Sequence, residues 1–173
     1  KIGGWDCSTP SGSCTAALIA ILDDISDLLK TSDYVILIAL DFSRAFDSIK
    51  HQTLFEKYSK LKIQSQVYNW LLSFFQDREH STKFGGVVSE SRDINSSVVQ
   101  GSDIGPASYV VAAADLKSKS EIIKMHKFAD DTSLITAGEN YGQLKDELDN
   151  VEAWAKVNNL QLNKAKSYEI IFS

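Results

Sequence analysis

A chain of 173 residues, 43% of them hydrophobic, can bury the core of one ordinary domain and is too apolar for a disordered segment. No apolar run approaches the roughly 20 residues that a membrane span needs, and the polar, Gly-rich residues 1–10 do not form a signal peptide. A net charge of −5 argues mildly against a surface built to grip nucleic acid, although two bound divalent cations would offset most of it. The chain opens on Lys1 rather than Met, which fits a piece of a longer protein. Cys7 and Cys14 have no neighbouring Cys or His to complete a zinc site, so they read as reduced thiols of an intracellular protein.

Residues 11–30 have helical spacing, with Leu18, Ile21, Leu22, Ile25, Leu28 and Leu29 on one face and Asp23, Asp24 and Asp27 on the other. The six apolar residues Val35–Leu40 are too short for most helices and predict a strand buried on both faces. Residues 48–76 predict one or two helices, with Trp70, Leu71, Phe74 and Phe75 in the core. Residues 80–99 predict a hairpin turning at Gly85-Gly86. Residues 100–106 form a loop that opens a helix, Pro106 lying in its first turn, and that helix runs to about Lys117. Strand-like runs at 122–128 and 132–136 flank Asp130-Asp131, which therefore sits at a hairpin turn. Residues 142–157 predict a helix with Leu144, Leu148, Val151, Trp154 and Val157 as its buried stripe, ended by Asn158-Asn159. Residues 167–172 form a last strand. Helices interspersed with hairpins predict an α+β fold, an antiparallel sheet with helices on one face, in a single domain.

The chemistry concentrates in carboxylates at strand ends. Asp41 closes its hydrophobic strand, and Asp130-Asp131 lies 89 residues further on. Magnesium takes oxygen ligands, commonly one or two carboxylates with phosphate and water, and two such ions can clamp the attacking and leaving oxygens of a phosphoryl transfer. Adjacent carboxylates in a tight turn also repel each other unless a cation is near. Each signal has an ordinary explanation as well. An Asp at a strand end can be a turn residue, and Asp47 can cap a helix or pair with Arg44. Gln100-Gly101 can be a plain turn or a close backbone approach to a ligand. Lys166 can be solvated surface or a proton donor to a leaving group. His51, His80 and His126 are scattered, and there is no phosphate-binding P-loop.

Taken in order, four segments resemble the reverse transcriptase domain of non-LTR (LINE-type) retrotransposons. They are Leu40-Asp41-Phe42-Ser43-Arg44-Ala45-Phe46-Asp47, Val99-Gln100-Gly101-Ser102 with Ile104-Gly105-Pro106, Phe128-Ala129-Asp130-Asp131, and Trp154 with residues 158–163 and Lys166-Ser167. The resemblance implies a right-hand polymerase palm with part of the fingers, lacking N-terminal fingers and thumb. It implies an intracellular RNA-directed DNA polymerase working on an RNA template, a DNA primer and dNTP, with no membrane partner and with the remaining fingers and thumb of the full-length protein.

On that resemblance Asp41, Asp130 and Asp131 hold two Mg²⁺ ions, for which Mn²⁺ can substitute, and the Phe42 carbonyl helps. Phe46 is the aromatic gate against a ribose 2′-OH, and Gln100 and Gly101 line the template-base and nucleotide pocket. Lys166 lies near the leaving pyrophosphate. Val99 stands where the family has Pro, and Asp103 where it has a small or apolar residue. The alternative is a catalytically incompetent fragment that binds RNA or protein. A phosphohydrolase with Asp41 as nucleophile would leave the Gln100-Gly101 segment and the segment from Leu162-Asn163 to Lys166 unexplained.

Overall fold

The computed structural model describes residues 13–98 and 101–173. The chain begins with helix α1 (Cys14–Leu29), strands β1 (Val35–Leu40) and β2 (Phe42–Ser43), and the single turn α2 (Ala45–Ser48). Helices α3 (His51–Ser59) and α4 (Ser65–Phe75) follow, then the short strands β3 (Glu79–His80), β4 (Lys83–Phe84), β5 (Val87–Val88) and β6 (Arg92–Asp93). Helix α5 (Ile104–Ala113), strands β7 (Lys124–Phe128) and β8 (Asp131–Ala137), helix α6 (Tyr141–Val157) and strands β9 (Gln161–Leu162) and β10 (Tyr168–Phe172) complete it. Contacts group these into two compact units, one from residues up to 45 with 113 onward, the other from 46–112. Among the described residues, no helix is long and apolar enough to cross a membrane.

The first unit is built on an antiparallel sheet in the order β10-β1-β8-β7. Strand β1 lies between two partners, Val35 pairing with both Ala137 and Phe172, so it needs apolar residues on both faces. On one face Val35, Leu37 and Ile135 form a cluster with Ile25 of α1, and Ile21, Leu28, Ala39 and Phe172 pack against it. On the other, Ile36, Ile38, Leu40 and Leu134 are buried. The Ser13 side chain caps α1 by accepting from the Ala16 N–H at 3.1 Å.

Two helical stripes differ from expectation. Leu18 and Leu22 of α1 are 59% and 57% exposed, because the helix turns Ala17, Ile25 and Asp24 inward instead. Asp24, expected on the polar face, holds Lys124 and the buried His126, the latter at 2.7 Å. In α6, Val157 is 80% exposed and Glu147 is buried. The Glu147 carboxylate accepts from Ser118 Oγ at 2.9 Å and from the N–H groups of Lys119 and Ser120 at 3.0 and 3.3 Å, which ties down the loop between α5 and β7. Asn159 takes φ +59°. The Leu160 N–H then bonds back to the Ala155 carbonyl at 2.8 Å and the Asn159 N–H to that of Lys156 at 3.3 Å, closing α6 with a Schellman cap.

In the second unit, Leu54, Tyr58, Leu71 and Phe75 are buried, and the His51 Nε2–H donates to the Ser97 carbonyl at 2.9 Å. Trp70, expected in the core, is 56% exposed and rests against the Phe74 ring at 5.8 Å. The hairpin forms where expected, with Gly85 and Gly86 at φ +58° and +83°, the two positive values that a type I′ turn demands. Helix α5 ends at Ala113, short of the expected Lys117, where the Leu116 N–H turns back to the Ala113 carbonyl at 3.2 Å.

Leu134→Ala, which empties a fully buried site in the central sheet, is expected to cost about 2–5 kcal/mol in urea unfolding. Val157→Ala is expected to change stability by less than about 0.5 kcal/mol; equal losses would contradict the packing described.

Candidate active site

The register of β1 against β8 brings the acidic residues together. Leu40 pairs with Thr132 as the last rung of that ladder, and Asp41 and Asp131, the first residue of β8, are the next residues beyond it at the same end of the sheet, close enough for their charges to interact. In the β7–β8 hairpin Phe128 pairs with Asp131, leaving Ala129 and Asp130 as a two-residue turn. Ala129 takes φ +51°, a conformation uncommon for a residue with a side chain and suited to a tight hairpin. Asp41, Asp130 and Asp131 therefore meet at one end of the sheet, within one compact unit.

The electrostatics agree. The Asp131 carboxyl is raised above the usual range, first by partial loss of hydration and then by the charges of Asp130 and Asp41. Asp131 is exposed overall, which makes the desolvation contribution modest; the two neighbouring charges are the specific signal.

A turn between β9 and β10 frames Asp41. The Asn163 N–H donates to the Asp41 carbonyl at 2.8 Å, and the Asp41 N–H donates to Ser167 Oγ at 3.2 Å. Within the turn, the N–H groups of Lys166 and Ser167 donate to the Asn163 carbonyl at 3.1 and 2.9 Å, and Ser167 Oγ–H donates to it at 2.9 Å. Lys166 is exposed on that turn. Next to Asp41, Phe42 pairs with Leu162 and buries its ring edge-on to Trp154 at 6.0 Å. The Trp154 Nε1–H donates to Asp115 at 2.9 Å, which fixes the indole.

Of the other predicted residues, Phe46 and Gly101 belong to the second unit. Phe46 is half-buried, 4.8 Å from the Tyr109 ring, and its carbonyl accepts from the Val98 N–H at 2.7 Å. Gly101 has φ +81°, where a side chain would be strained. Gln100, with Val99, lies outside the described residues. Sequence reasoning missed the hold of Asn163 and Ser167 on Asp41, because the β2–β9 pairing that brings them there is two residues long.

Among the described residues, no three His, Cys, Asp or Glu side chains form a ready-made metal shell. The carboxylate rim nonetheless fits a hard divalent cation. Asp41, Asp130 and Asp131 offer oxygen donors, their mutual repulsion is what a cation relieves, and phosphate and water ordinarily supply the remaining positions.

The raised Asp131 carboxyl fixes a sign. Its ionised form is penalised in the fold, so stability is greatest below its unfolded range and falls as pH rises through its folded range. In EDTA, Asp131→Asn is expected to melt above wild type at neutral pH, with the gap closing in acid. A variant that melts lower at neutral pH would contradict the crowding of charge.

The family model for reverse transcriptase (RNA-dependent DNA polymerase) matches residues 8–170. The RNA-directed DNA polymerase from mobile element jockey of Drosophila melanogaster is 27% identical over 158 residues, 85% of this chain and 17% of that protein. The probable RNA-directed DNA polymerase from transposon X-element of the same species is 23% identical over 172 residues, 94% of this chain and 19% of that protein. The chain thus spans less than a fifth of the length of these curated relatives. Telomerase from Candida tropicalis, in complex with a TWJ fragment of telomeric RNA, superposes with a TM-score of 0.72 at 16% identity, over 98% of this chain and 30% of that one. Apo telomerase from the same species gives 0.67 at 15% identity, over 97% and 33%. The fold is the α+β fold of a polymerase palm, as the motifs implied. With nearly its whole length matched, the chain belongs to the reverse transcriptase (RNA-dependent DNA polymerase) family.

Proposed function

We propose that this chain is the palm, with part of the fingers, of the RNA-directed DNA polymerase of a non-LTR mobile element. It adds dNTP to a DNA primer on an RNA template, inside the cell, as a segment of a longer protein that supplies further fingers and a thumb. The observation that carries the reading is that the β1–β8 register ends with Asp41 and Asp131 at the same end of the sheet, beside Asp130 at the hairpin turn.

Dependence on divalent metal is general in this family, and Asp41, Asp130 and Asp131 are the residues that would hold two Mg²⁺ ions, aided by the Phe42 carbonyl. When bound, the ions would lower the barrier by neutralising charge on the attacking and leaving oxygens. The new bond joins the primer 3′ oxygen to the α-phosphorus as the bond to pyrophosphate breaks. Lys166, exposed on the turn that also bonds Asp41, is suited to neutralise or protonate that leaving group. Phe46, backed by the Tyr109 ring, is suited to crowd a ribose 2′-OH. Gln100 and Gly101 are assigned to the template-base and nucleotide pocket. Positioning and electrostatics supply most of the catalysis in this chemistry. The acidic net charge favours a second reading, a non-catalytic binding fragment, but carboxylates held together against their repulsion favour the polymerase.

In RNA-templated primer extension, Asp131→Asn and Asp41→Asn are each expected to lower dNTP addition at least about a hundredfold with the fold retained. Wild-type rates in either variant would leave the binding reading standing. Phe46→Ala is expected to raise the ratio of rNTP to dNTP incorporation, and an unchanged ratio would remove Phe46 from the gate.

A further inference from the structure

We infer that Ser167 is a positioning residue that fixes the backbone of Asp41, and through it the place where the Asp41 carboxylate meets metal. The inference rests on the metal-binding reading of Asp41 given above. The β1–β10 ladder ends at the pair Ala39 and Tyr168. Continued in the same register, the ladder would set Ser167 opposite Leu40 and Lys166 opposite Asp41. The chain leaves the ladder there for the Asn163–Ser167 turn, so a main-chain hydrogen bond no longer holds that end of β1 to β10.

A side-chain hydroxyl takes over. Ser167 Oγ accepts from the Asp41 N–H at 3.2 Å and donates to the Asn163 carbonyl at 2.9 Å. Asn163 in turn donates its N–H to the Asp41 carbonyl at 2.8 Å. Both polar groups of the Asp41 main chain are thereby held by the one Asn163–Ser167 turn, and Lys166 rides on the same turn. Only a residue with one hydroxyl near the main chain can accept and donate in this way; Thr keeps that chemistry, and Ala and Val lose it. One hydroxyl therefore ties the carboxylate expected to hold metal to the turn that carries the leaving-group lysine. A metal ligand whose supporting hydrogen bond is removed ordinarily loses about 10–100-fold in metal affinity.

The test compares wild type, Ser167→Ala, Ser167→Thr and Ser167→Val in this chain. It reads amide hydrogen exchange at Asp41 by NMR and Mn²⁺ affinity by calorimetry. In the Ala and Val variants, exchange at Asp41 is expected to quicken while Leu37 keeps its protection, and Mn²⁺ affinity to fall about 10–100-fold. Thr is expected to match wild type in both. Because Val is close to Thr in shape, that pair decides the matter if Ala fails to fold. Wild-type exchange and Mn²⁺ affinity in the Ala or Val variant overturn the inference alone. Absence of Mn²⁺ binding in wild type overturns the polymerase reading and the inference with it.

Discussion

The antiparallel register between β1 and β8 is the constraint on which the site depends. A slip of one residue would move every side chain of β1 to the other face and part Asp41 from Asp131. Several features forbid it. Strand β1 is buried on both faces, Leu134 and Ile135 of β8 are fully buried on opposite faces, and the two-residue turn at Ala129-Asp130 sets where β8 begins. The acidic end of the sheet is therefore placed by its apolar middle.

That placement works against local electrostatics. Three carboxylates at one sheet end repel one another, and this repulsion adds to the partial loss of hydration that is the first cause of the raised Asp131 carboxyl. Without bound cations the fold carries this as a cost, set against the buried sheet. Local strain at functional positions held by a stable scaffold is a common arrangement. The hydrogen bonds from the Asn163–Ser167 turn and the buried Phe42–Trp154 contact hold the chain on either side of the Asp41 carboxylate, so repulsion cannot be relieved by backbone movement at that point.

Much of this was legible in the sequence where one physical cause dominated. Strand β1 was readable to the residue because a central strand must be apolar on both faces. The Gly85-Gly86 turn and the Asn159 cap were readable because positive φ has few candidate residues. Stripes were less legible. Leu18, Leu22, Val157 and Trp70 have the spacing and hydrophobicity of core residues, yet spacing does not say how wide a face the partner covers. Buried Glu147 and the Asp24–His126 pair were invisible because their partners are distant in sequence. In the site, carboxylates at strand ends pointed to Asp41 and to Asp130-Asp131, while Gln100-Gly101 and Lys166 each had an ordinary explanation beside the functional one, and Phe46 as a gate came only from the family resemblance. Ser167 read as the first residue of the last strand; the strand starts one residue later, and the Ser167 hydroxyl lies between Asp41 and Asn163.

The most direct test of a carboxylate rim built for metal is a crystal structure of the chain soaked in Mn²⁺, with the ion located by its anomalous signal. The account requires carboxylate oxygens of Asp41 and of Asp131 or Asp130 on the same ion, or on a pair of ions roughly 4 Å apart. Manganese bound elsewhere, with Asp41 and Asp131 turned away from each other, would contradict it.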